Sequence, residues 1–134
     1  MKDILAMIKY TSTWKLLYVE DNELARTSTL GILNEFFADI VVAVDGEDGF
    51  EKFKENSIDL IITDINMPRL NGLDMLKKIR KIDKEVVAIV FSAHNETKYL
   101  DDSKELNVLD YVLKPISMEQ FIEVLATAVD KMKD

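Results

Sequence analysis

The sequence predicts an α/β fold in which five parallel strands form one sheet with helices on both faces, a doubly wound (βα)5 arrangement. Five short apolar runs rich in valine and isoleucine recur along the chain. Such runs are typical of strands buried on both faces of a parallel sheet. Segments with the apolar spacing of a helix separate these runs, and each would place one apolar face against the sheet. Right-handed crossovers between the strands then put helices on both sides.

The predicted strands cover residues 16–19, 40–44, 60–62, 86–91 and 111–113. Helical spacing is found in four stripes: Leu30, Leu33 and Phe37; Phe50 and Phe53; Met75, Leu76, Ile79 and Ile82; and Met118, Phe121, Ile122, Leu125, Val129 and Met132. Residues 96–106 are less periodic and are predicted as the remaining helix.

Several residues indicate where these elements begin and end. Ser117 precedes an acidic first turn, so we expect it to cap the last helix. Asn107 follows Leu106 and is expected to take the left-handed conformation that ends a helix. Asp45 and Gly46 come after the second predicted strand and indicate a turn.

Residues 1–14 lie outside the repeating pattern. Ile4, Leu5 and Ile8 hint at one more amphipathic helix. We expect residues 1–14 to form an N-terminal extension with helical character, packed or frayed, and residues 15–134 to form the domain.

Length and composition exclude several classes of protein. The 134 residues are the size of one domain, and 48% of them are hydrophobic. The chain has no cysteine, which excludes disulfides and thiolate metal sites. Its net charge of -8 repels phosphate backbones, so direct nucleic-acid binding is not expected. No apolar run is long enough to span a membrane or act as a signal peptide, so we expect a cytoplasmic protein.

Besides the turn at Asp45, polar residues follow the other four predicted strands. Glu20 and Asp21 follow the first strand, Asp64 the third, Ser92 the fourth and Lys114 the fifth. Because ligands of open α/β sheets bind at the carboxyl ends of the strands, we expect these side chains to meet at one edge.

Three clustered carboxylates require a compensating charge, since two charges about 4 Å apart repel by roughly 4 kcal/mol at an effective dielectric near 20. A hard divalent cation with oxygen ligands supplies it, and Mg2+ suits a site with few carboxylates and several waters. Lys114 adds a second positive charge. Asp64 would then be a nucleophile that forms an acyl phosphate, with the cation, Lys114 and Ser92 stabilising the transferring group.

Each of these residues also has a simpler interpretation. An aspartate after a strand is usually a turn or a helix cap. Glu20 and Asp21 precede Asn22 and could cap a helix, while Ser92 and Lys114 could be ordinary solvated residues. Their joint placement at one end of consecutive βα units favours the site.

Five motifs in this order resemble the receiver domain of two-component signalling, and the resemblance covers about residues 15–132. The motifs are Leu17-Tyr18-Val19-Glu20-Asp21-Asn22, Ile62-Thr63-Asp64-Ile65-Asn66-Met67-Pro68, Asn71-Gly72, Phe91-Ser92-Ala93 and Tyr111-Val112-Leu113-Lys114-Pro115. The resemblance is to chemotaxis-regulator-like receivers and implies the flavodoxin-like strand order 2-1-3-4-5.

The resemblance implies a role for each matching position. Asp64 matches the phosphoacceptor and Asp21 the direct Mg2+ ligand. Glu20 matches an acid that usually acts on the metal through water. Asn66 matches the position whose backbone carbonyl binds the metal. Lys114 matches the lysine that contacts the phosphoryl group, and its bond to the following proline is expected to be cis.

The resemblance also implies a switch and its partners. Ser92 matches the hydroxyl that turns towards the new phosphate, and Tyr111 matches the aromatic residue that follows it inward. The changing face is expected to include residues 96–106, the last strand and the last helix. A histidine kinase or histidine phosphotransfer protein would supply the phosphoryl group, and a downstream protein would bind the changed surface.

Some positions depart from the family pattern. Gly49 lies where a helix former is usual, and Asn107-Val108 where small residues are usual; both concern packing. Asn66 and His94 lie at positions that vary and that tune the lifetime of the phosphate. His94 is the only histidine and is expected to be an exposed loop residue.

The sequence leaves three alternatives open. The first is a receiver-like scaffold that binds partners without phosphorylation. The second is a Mg2+-dependent phosphohydrolase with an aspartate nucleophile, which typically needs an acid where this chain has Asn66. The third is a flavin carrier, disfavoured because the loop after the first strand is acidic. The chain ends just after its last predicted helix, which fits a stand-alone regulator or a receiver from a larger protein.

Overall fold

The computed structural model of the chain describes residues 3–93 and 105–133. The strands are β1 (Lys15–Val19), β2 (Asp39–Ala43), β3 (Leu60–Asp64), β4 (Val87–Ser92) and β5 (Asp110–Leu113). The helices are α1 (Ile4–Thr11), α2 (Glu23–Leu33), α3 (Gly46–Glu55), α4 (Gly72–Arg80) and α5 (Met118–Met132). The helix predicted over 96–106 and the loop residue His94 lie almost wholly outside the described residues.

All five strands are parallel and form one sheet in the order β2-β1-β3-β4-β5. This confirms the predicted doubly wound α/β class and the flavodoxin-like order. The order reverses between β1 and β3, because β2 lies on one side of β1 while the later strands lie on the other. Such a reversal opens a crevice at the carboxyl ends of the strands.

Alternate residues of the strands enter two separate cores. Leu16 and Tyr18 of β1 face a core that includes α1, α2 and α5, whereas Leu17 and Val19 face a core with α3 and α4. This is the period-two alternation of a strand covered on both sides. It explains why the strand residues read as unbroken apolar runs.

Side chains mark where the helices start, as the sequence predicted for α5. The Ser117 hydroxyl accepts a hydrogen bond from the Gln120 amide at 3.3 Å. Asp45 does the same for α3, accepting from the Asp48 amide at 2.8 Å, so it is a helix cap rather than only a turn residue. Asn107 has φ 55°, which confirms its predicted left-handed conformation.

Three apolar residues of the predicted stripes and strands are placed differently in the structure. Ile82 lies two residues beyond the end of α4 and its side chain is 58% exposed. Phe37 lies beyond α2 but is buried from the following loop. Val44 follows β2 and is exposed. Periodicity alone cannot separate the last helical turn from the apolar residues of the loop after it.

Helix α1 packs against α5 through a face other than the one its most apolar residues indicate. Met7 and Thr11 are buried, whereas Ile4 and Leu5 are exposed. The Thr11 hydroxyl donates to the Phe36 carbonyl at 2.5 Å. The segment before β1 is therefore joined to the core by contacts that include a buried polar one.

Candidate functional site

The register of the parallel strands brings the polar residues to one edge. Thr63 pairs with Val19, so Asp64 is level with the residue after β1. Asp64 pairs with Phe91, and Ser92 pairs with Leu113. The register therefore aligns four polar residues, to within about one residue, along a line that runs across the strands at this edge. They are Glu20, Asp64, Ser92 and Lys114.

Asp64 and Lys114 form a close ion pair at this edge. The Lys114 Nζ lies 2.8 Å from Asp64 Oδ1 and 2.9 Å from Oδ2, with hydrogen-bond geometry to Oδ2. The Asp64 side chain is 7% exposed and that of Lys114 is 33% exposed. The carboxylate is therefore buried with one cation held against both of its oxygens.

Three carboxylates converge beside that pair. Glu20, Asp21 and Asp64 each offer an oxygen, and these three atoms lie within 4.8 Å of one another. Burial is the main cause that raises the pKa of Glu20 from 4.5 to about 7, followed by a hydrogen bond with Asp64. Burial, followed by a hydrogen bond with Glu20, also raises the pKa of the Asp21 carboxyl. Lys114 opposes both shifts but does not cancel them.

The turn after β1 orients the two acids through contacts that the sequence alone did not predict. The Asn22 amide donates to Glu20 Oε2 at 3.1 Å, while the Asn22 side chain caps α2. Arg26 Nη1 donates to the Glu20 carbonyl at 2.9 Å and to the Asp21 carbonyl at 3.4 Å. Arg26 follows Asn22 by four residues, so it lies on the same face of α2, and this spacing is the signal that could have identified it.

Gly72 allows the start of α4 to approach the backbone of Asp64. A Cβ atom on Gly72 would lie 1.8 Å from the Asp64 carbonyl oxygen and 3.0 Å from Thr63 Oγ1. The Gly72 amide donates to the Ile65 carbonyl at 2.8 Å, and Asn71 caps the helix. The Asn71-Gly72 motif therefore contributes to the site through close backbone packing against the residue that bears the buried carboxylate.

The remaining predicted site residues surround this cluster. Ser92 is buried at the end of β4, and its hydroxyl has no hydrogen-bond partner among the residues that the structure describes. Tyr111 is half-buried in β5, and Asn66 is exposed in the loop after β3. The Lys114–Pro115 bond is cis, as the resemblance implied.

The chemistry of the donor set fits a hard divalent cation. Its donors are carboxylate oxygens, which Mg2+ prefers, and two of the three acids are buried. At separations near 4.8 Å, two carboxylates repel by roughly 3–4 kcal/mol at an effective dielectric near 20. A bound cation would offset that repulsion and lower the pKa of Glu20. The exposed side of the cluster, at Asp21, leaves room for water ligands.

The family model described as the response regulator receiver domain matches residues 16–126 of the chain. The chain therefore belongs to the response regulator receiver domain family. In the described ranges, no helix combines the length and apolar character needed to cross a bilayer.

Three relatives illustrate the match in sequence. An uncharacterized response regulatory protein of Staphylococcus epidermidis is 34% identical over 96 residues, covering 72% of this chain and 38% of that protein. The probable C4-dicarboxylate response regulator DctR of Bacillus subtilis is 32% identical over 84% of this chain and 50% of its own length. The chemotaxis protein CheY of Treponema pallidum is 30% identical over 87% of this chain and 83% of its own length. The chain thus spans half or less of the first two relatives.

Solved structures share the fold. The N-terminal domain of an uncharacterized protein from Wolinella succinogenes superposes with a TM-score of 0.81 at 36% identity, covering 91% of this chain and all of that one. The receiver domain of the sensor histidine kinase PA1611 from Pseudomonas aeruginosa, with a magnesium ion coordinated in its active-site cleft, has a TM-score of 0.78. It is 21% identical, with 87% of this chain and 98% of that one covered, so it supports the fold alone.

Proposed function

We propose that Asp64 accepts a phosphoryl group from a histidine kinase or a histidine phosphotransfer protein in a Mg2+-dependent reaction. One observation carries the proposal: a buried carboxylate with a lysine against both its oxygens lies within a cluster of two further acids. Membership of the receiver family supports phosphorylation-dependent signalling by the same chain.

In the proposed transfer, an Asp64 carboxylate oxygen attacks the phosphorus of a phosphohistidine. The new bond joins oxygen to phosphorus, the nitrogen–phosphorus bond breaks, and the imidazole leaves and takes up a proton. Lys114 is close enough to move from the carboxylate to a phosphoryl oxygen, since its Nζ already lies beside both Asp64 oxygens. It would neutralise charge on the transferring group and on the product.

Glu20 and Asp21 would hold the cation, with Asp64 and the Asn66 backbone carbonyl. Bound there, Mg2+ would neutralise the carboxylates and the phosphoryl oxygens, so that two anions can meet. The three carboxylate oxygens of the cluster are the kind of ligand that Mg2+ prefers, which supports this choice of metal. Arg26 would keep Glu20 and Asp21 in position through their carbonyls.

Ser92 would carry the response. Its hydroxyl is buried and has no hydrogen-bond partner among the described residues. A phosphoryl oxygen on Asp64 would supply an acceptor for it, and Tyr111, half-buried in the neighbouring β5, would follow. We propose that the changed surface binds a downstream protein in the cytoplasm and does not itself contact nucleic acid, because the chain is acidic.

The test is the intact mass of the protein after incubation with Mg2+ and acetyl phosphate. A phosphate-sized gain should appear, should require Mg2+, and should be absent from Asp64→Asn. Asp130→Asn removes an exposed carboxylate from α5 and serves as the matched control that retains the gain.

Beryllofluoride provides a second measurement where the adduct is short-lived. Binding that depends on Mg2+ and Asp64 would support the acceptor role. Failure of both acetyl phosphate and beryllofluoride would favour a scaffold that works without phosphorylation. Sustained release of phosphate from monoesters would instead favour a phosphohydrolase.

A further inference from the structure

The surface between α1 and α5 carries an apolar groove away from the carboxylate cluster. Ile4 and Ile8 line it from α1, Met118 and Ile122 line it from α5, and Glu35 and Phe36 line it from the turn after α2. Each helix contributes residues four apart, which lie on one face of a helix. The cavity holds about 270 Å3. Apolar residues of two helices, together with Phe36, therefore line a concave surface.

Two of the apolar side chains that line the groove are exposed to solvent. Ile4 is 41% exposed and Met118 is 39% exposed, although both belong to helices that pack into the core. Phe36 is 4% exposed and forms the floor. Burying the two exposed side chains would remove apolar surface from water, which stabilises a complex in proportion to the area covered. The groove is therefore a place where a second apolar element would gain contacts.

One carboxylate lines this groove, and two more follow its residues in α5. Glu35 is part of its wall, while Glu119 and Glu123 each follow a groove residue of α5 by one position and are exposed. Lys9 is the exposed basic residue that follows Ile8, and these three acids outnumber it. The charge around the groove therefore matches an apolar partner with basic flanks.

We propose that this groove binds an amphipathic helix of a protein partner, with apolar residues along one ridge and lysine or arginine on both sides of it. A groove between helices accepts a helix through anchors three, four and seven residues apart. A second copy of this chain would place Glu35, Glu119 and Glu123 against their own counterparts, and like charges repel. An anionic membrane is disfavoured for the same reason. The proposal does not depend on phosphorylation of Asp64.

A peptide selection tests the proposal without a known partner. A displayed library of helical peptides would be selected on the full chain and counter-selected on Ile4→Ser/Met118→Ser. We expect enrichment of sequences with an apolar ridge flanked by lysine or arginine. Leu24→Ser, at an apolar residue of α2 that is 81% exposed, is the matched control and should retain the selected peptides. Enrichment of acidic or non-helical sequences, or of none, would overturn the proposal.

Charge reversal separates the groove from general acidity. Glu119→Lys/Glu123→Lys should weaken binding of the selected peptide about tenfold or more, since opposite charges near an interface become like charges. Glu47→Lys/Glu51→Lys makes the same change on exposed residues of α3 and should leave the affinity within about twofold once ionic strength is matched. Equal losses in the two variants would reduce the effect to net charge and count against the groove.

Sedimentation and vesicle binding exclude the other occupants. The protein alone should remain a monomer, and Ile4→Ser/Met118→Ser should sediment identically. A dimer that this variant abolishes would assign the groove to a second copy and overturn the proposal. Binding to vesicles of anionic phospholipid that the same variant abolishes would assign it to a membrane. Circular dichroism of each variant checks that the fold is retained.

Discussion

The ammonium group of Lys114 lies within 2.9 Å of both carboxylate oxygens of Asp64, although the two residues are 50 positions apart in the chain. This contact joins the ends of β3 and β5 across β4, which lies between them in the sheet. The cation that compensates the buried Asp64 carboxylate is thus a lysine whose side chain is one-third exposed.

Replacing Lys114 with methionine should affect both stability and phosphorylation. The buried Asp64 carboxylate would lose its cation, and an uncompensated buried charge costs on the order of 1–3 kcal/mol at a partly exposed pair. Phosphorylation by acetyl phosphate should slow about a hundredfold. Thermal unfolding and intact-mass kinetics measure the two effects. Added Mg2+ should restore part of the lost stability, and a variant as stable and as reactive as the parent would contradict this role.

The raised pKa of Glu20 predicts that the stability of the metal-free protein and its affinity for Mg2+ change in opposite directions with pH. Its carboxyl has a pKa of about 7 when folded and 4.5 when unfolded, so the folded protein binds more protons between these values. Stability of the metal-free protein should therefore fall as pH rises through that window and level off above it. Mg2+ competes with the same proton, so its affinity should fall about tenfold per pH unit below pH 7.

Glu20→Gln is the variant that checks this assignment. It cannot ionise, so both pH trends should flatten, and the metal-free protein should be more stable above pH 7 than the parent. Denaturant titrations across the pH range and calorimetric titration with Mg2+ provide the measurements. An unchanged pH profile in this variant would assign the titration to another group.

We expect replacement of glycine by alanine to change the stability of the protein in opposite directions at two positions. Gly72→Ala would place a Cβ 1.8 Å from the Asp64 carbonyl oxygen, and a backbone atom cannot move aside as a side chain can. We expect a loss of about 2–4 kcal/mol and impaired phosphorylation. Gly31 of α2 has nothing within 4 Å of the same built position, so Gly31→Ala should stabilise by about 0.5–1 kcal/mol. Equal effects from the two substitutions would show that the close approach is not constraining.

Residues before β1 should contribute to stability. Met7 of α1 is 5% exposed and Leu5 is 76% exposed. Met7→Ala should destabilise by about 2–3 kcal/mol, because it opens a cavity in the core against α5. Leu5→Ala should change stability by less than about 0.5 kcal/mol. Chemical denaturation measures both, and a neutral Met7→Ala would mean that α1 does not belong to the folding unit.

Much of the fold followed from the sequence because strands buried on both faces leave a simple pattern. Leu16 to Val19 all have almost no exposed surface, and their aliphatic and aromatic side chains form an unbroken run in the sequence. The edge positions of Glu20, Asp64, Ser92 and Lys114 followed once the strands were placed. Their roles in phosphorylation stay a prediction, since geometry brings them together without testing the chemistry.

Other features depend on tertiary contacts that leave no local signal. Gly49 lies where a helix former is usual in the family, yet a Cβ there would lie 2.6 Å from Met75 Sδ and 3.0 Å from Val19 Cγ2. The glycine allows α3 to pack closely on α4 and the sheet. Similarly, Leu5 is apolar but exposed, while Met7 of the same helix is buried. The packing of α1 against α5 determines which of the two is covered.

The loop between β3 and α4 is held by main-chain hydrogen bonds at its end. The Gly46 amide donates to the Leu70 carbonyl at 3.0 Å, and the Gly72 amide donates to the Ile65 carbonyl at 2.8 Å. Neither bond involves a side chain of residues 66–69. Substitutions at residues 66–68 can therefore alter the chemistry beside Asp64 without removing either bond, whereas Arg69 adopts φ 68° and its Nε lies 3.6 Å from Asp45 Oδ2.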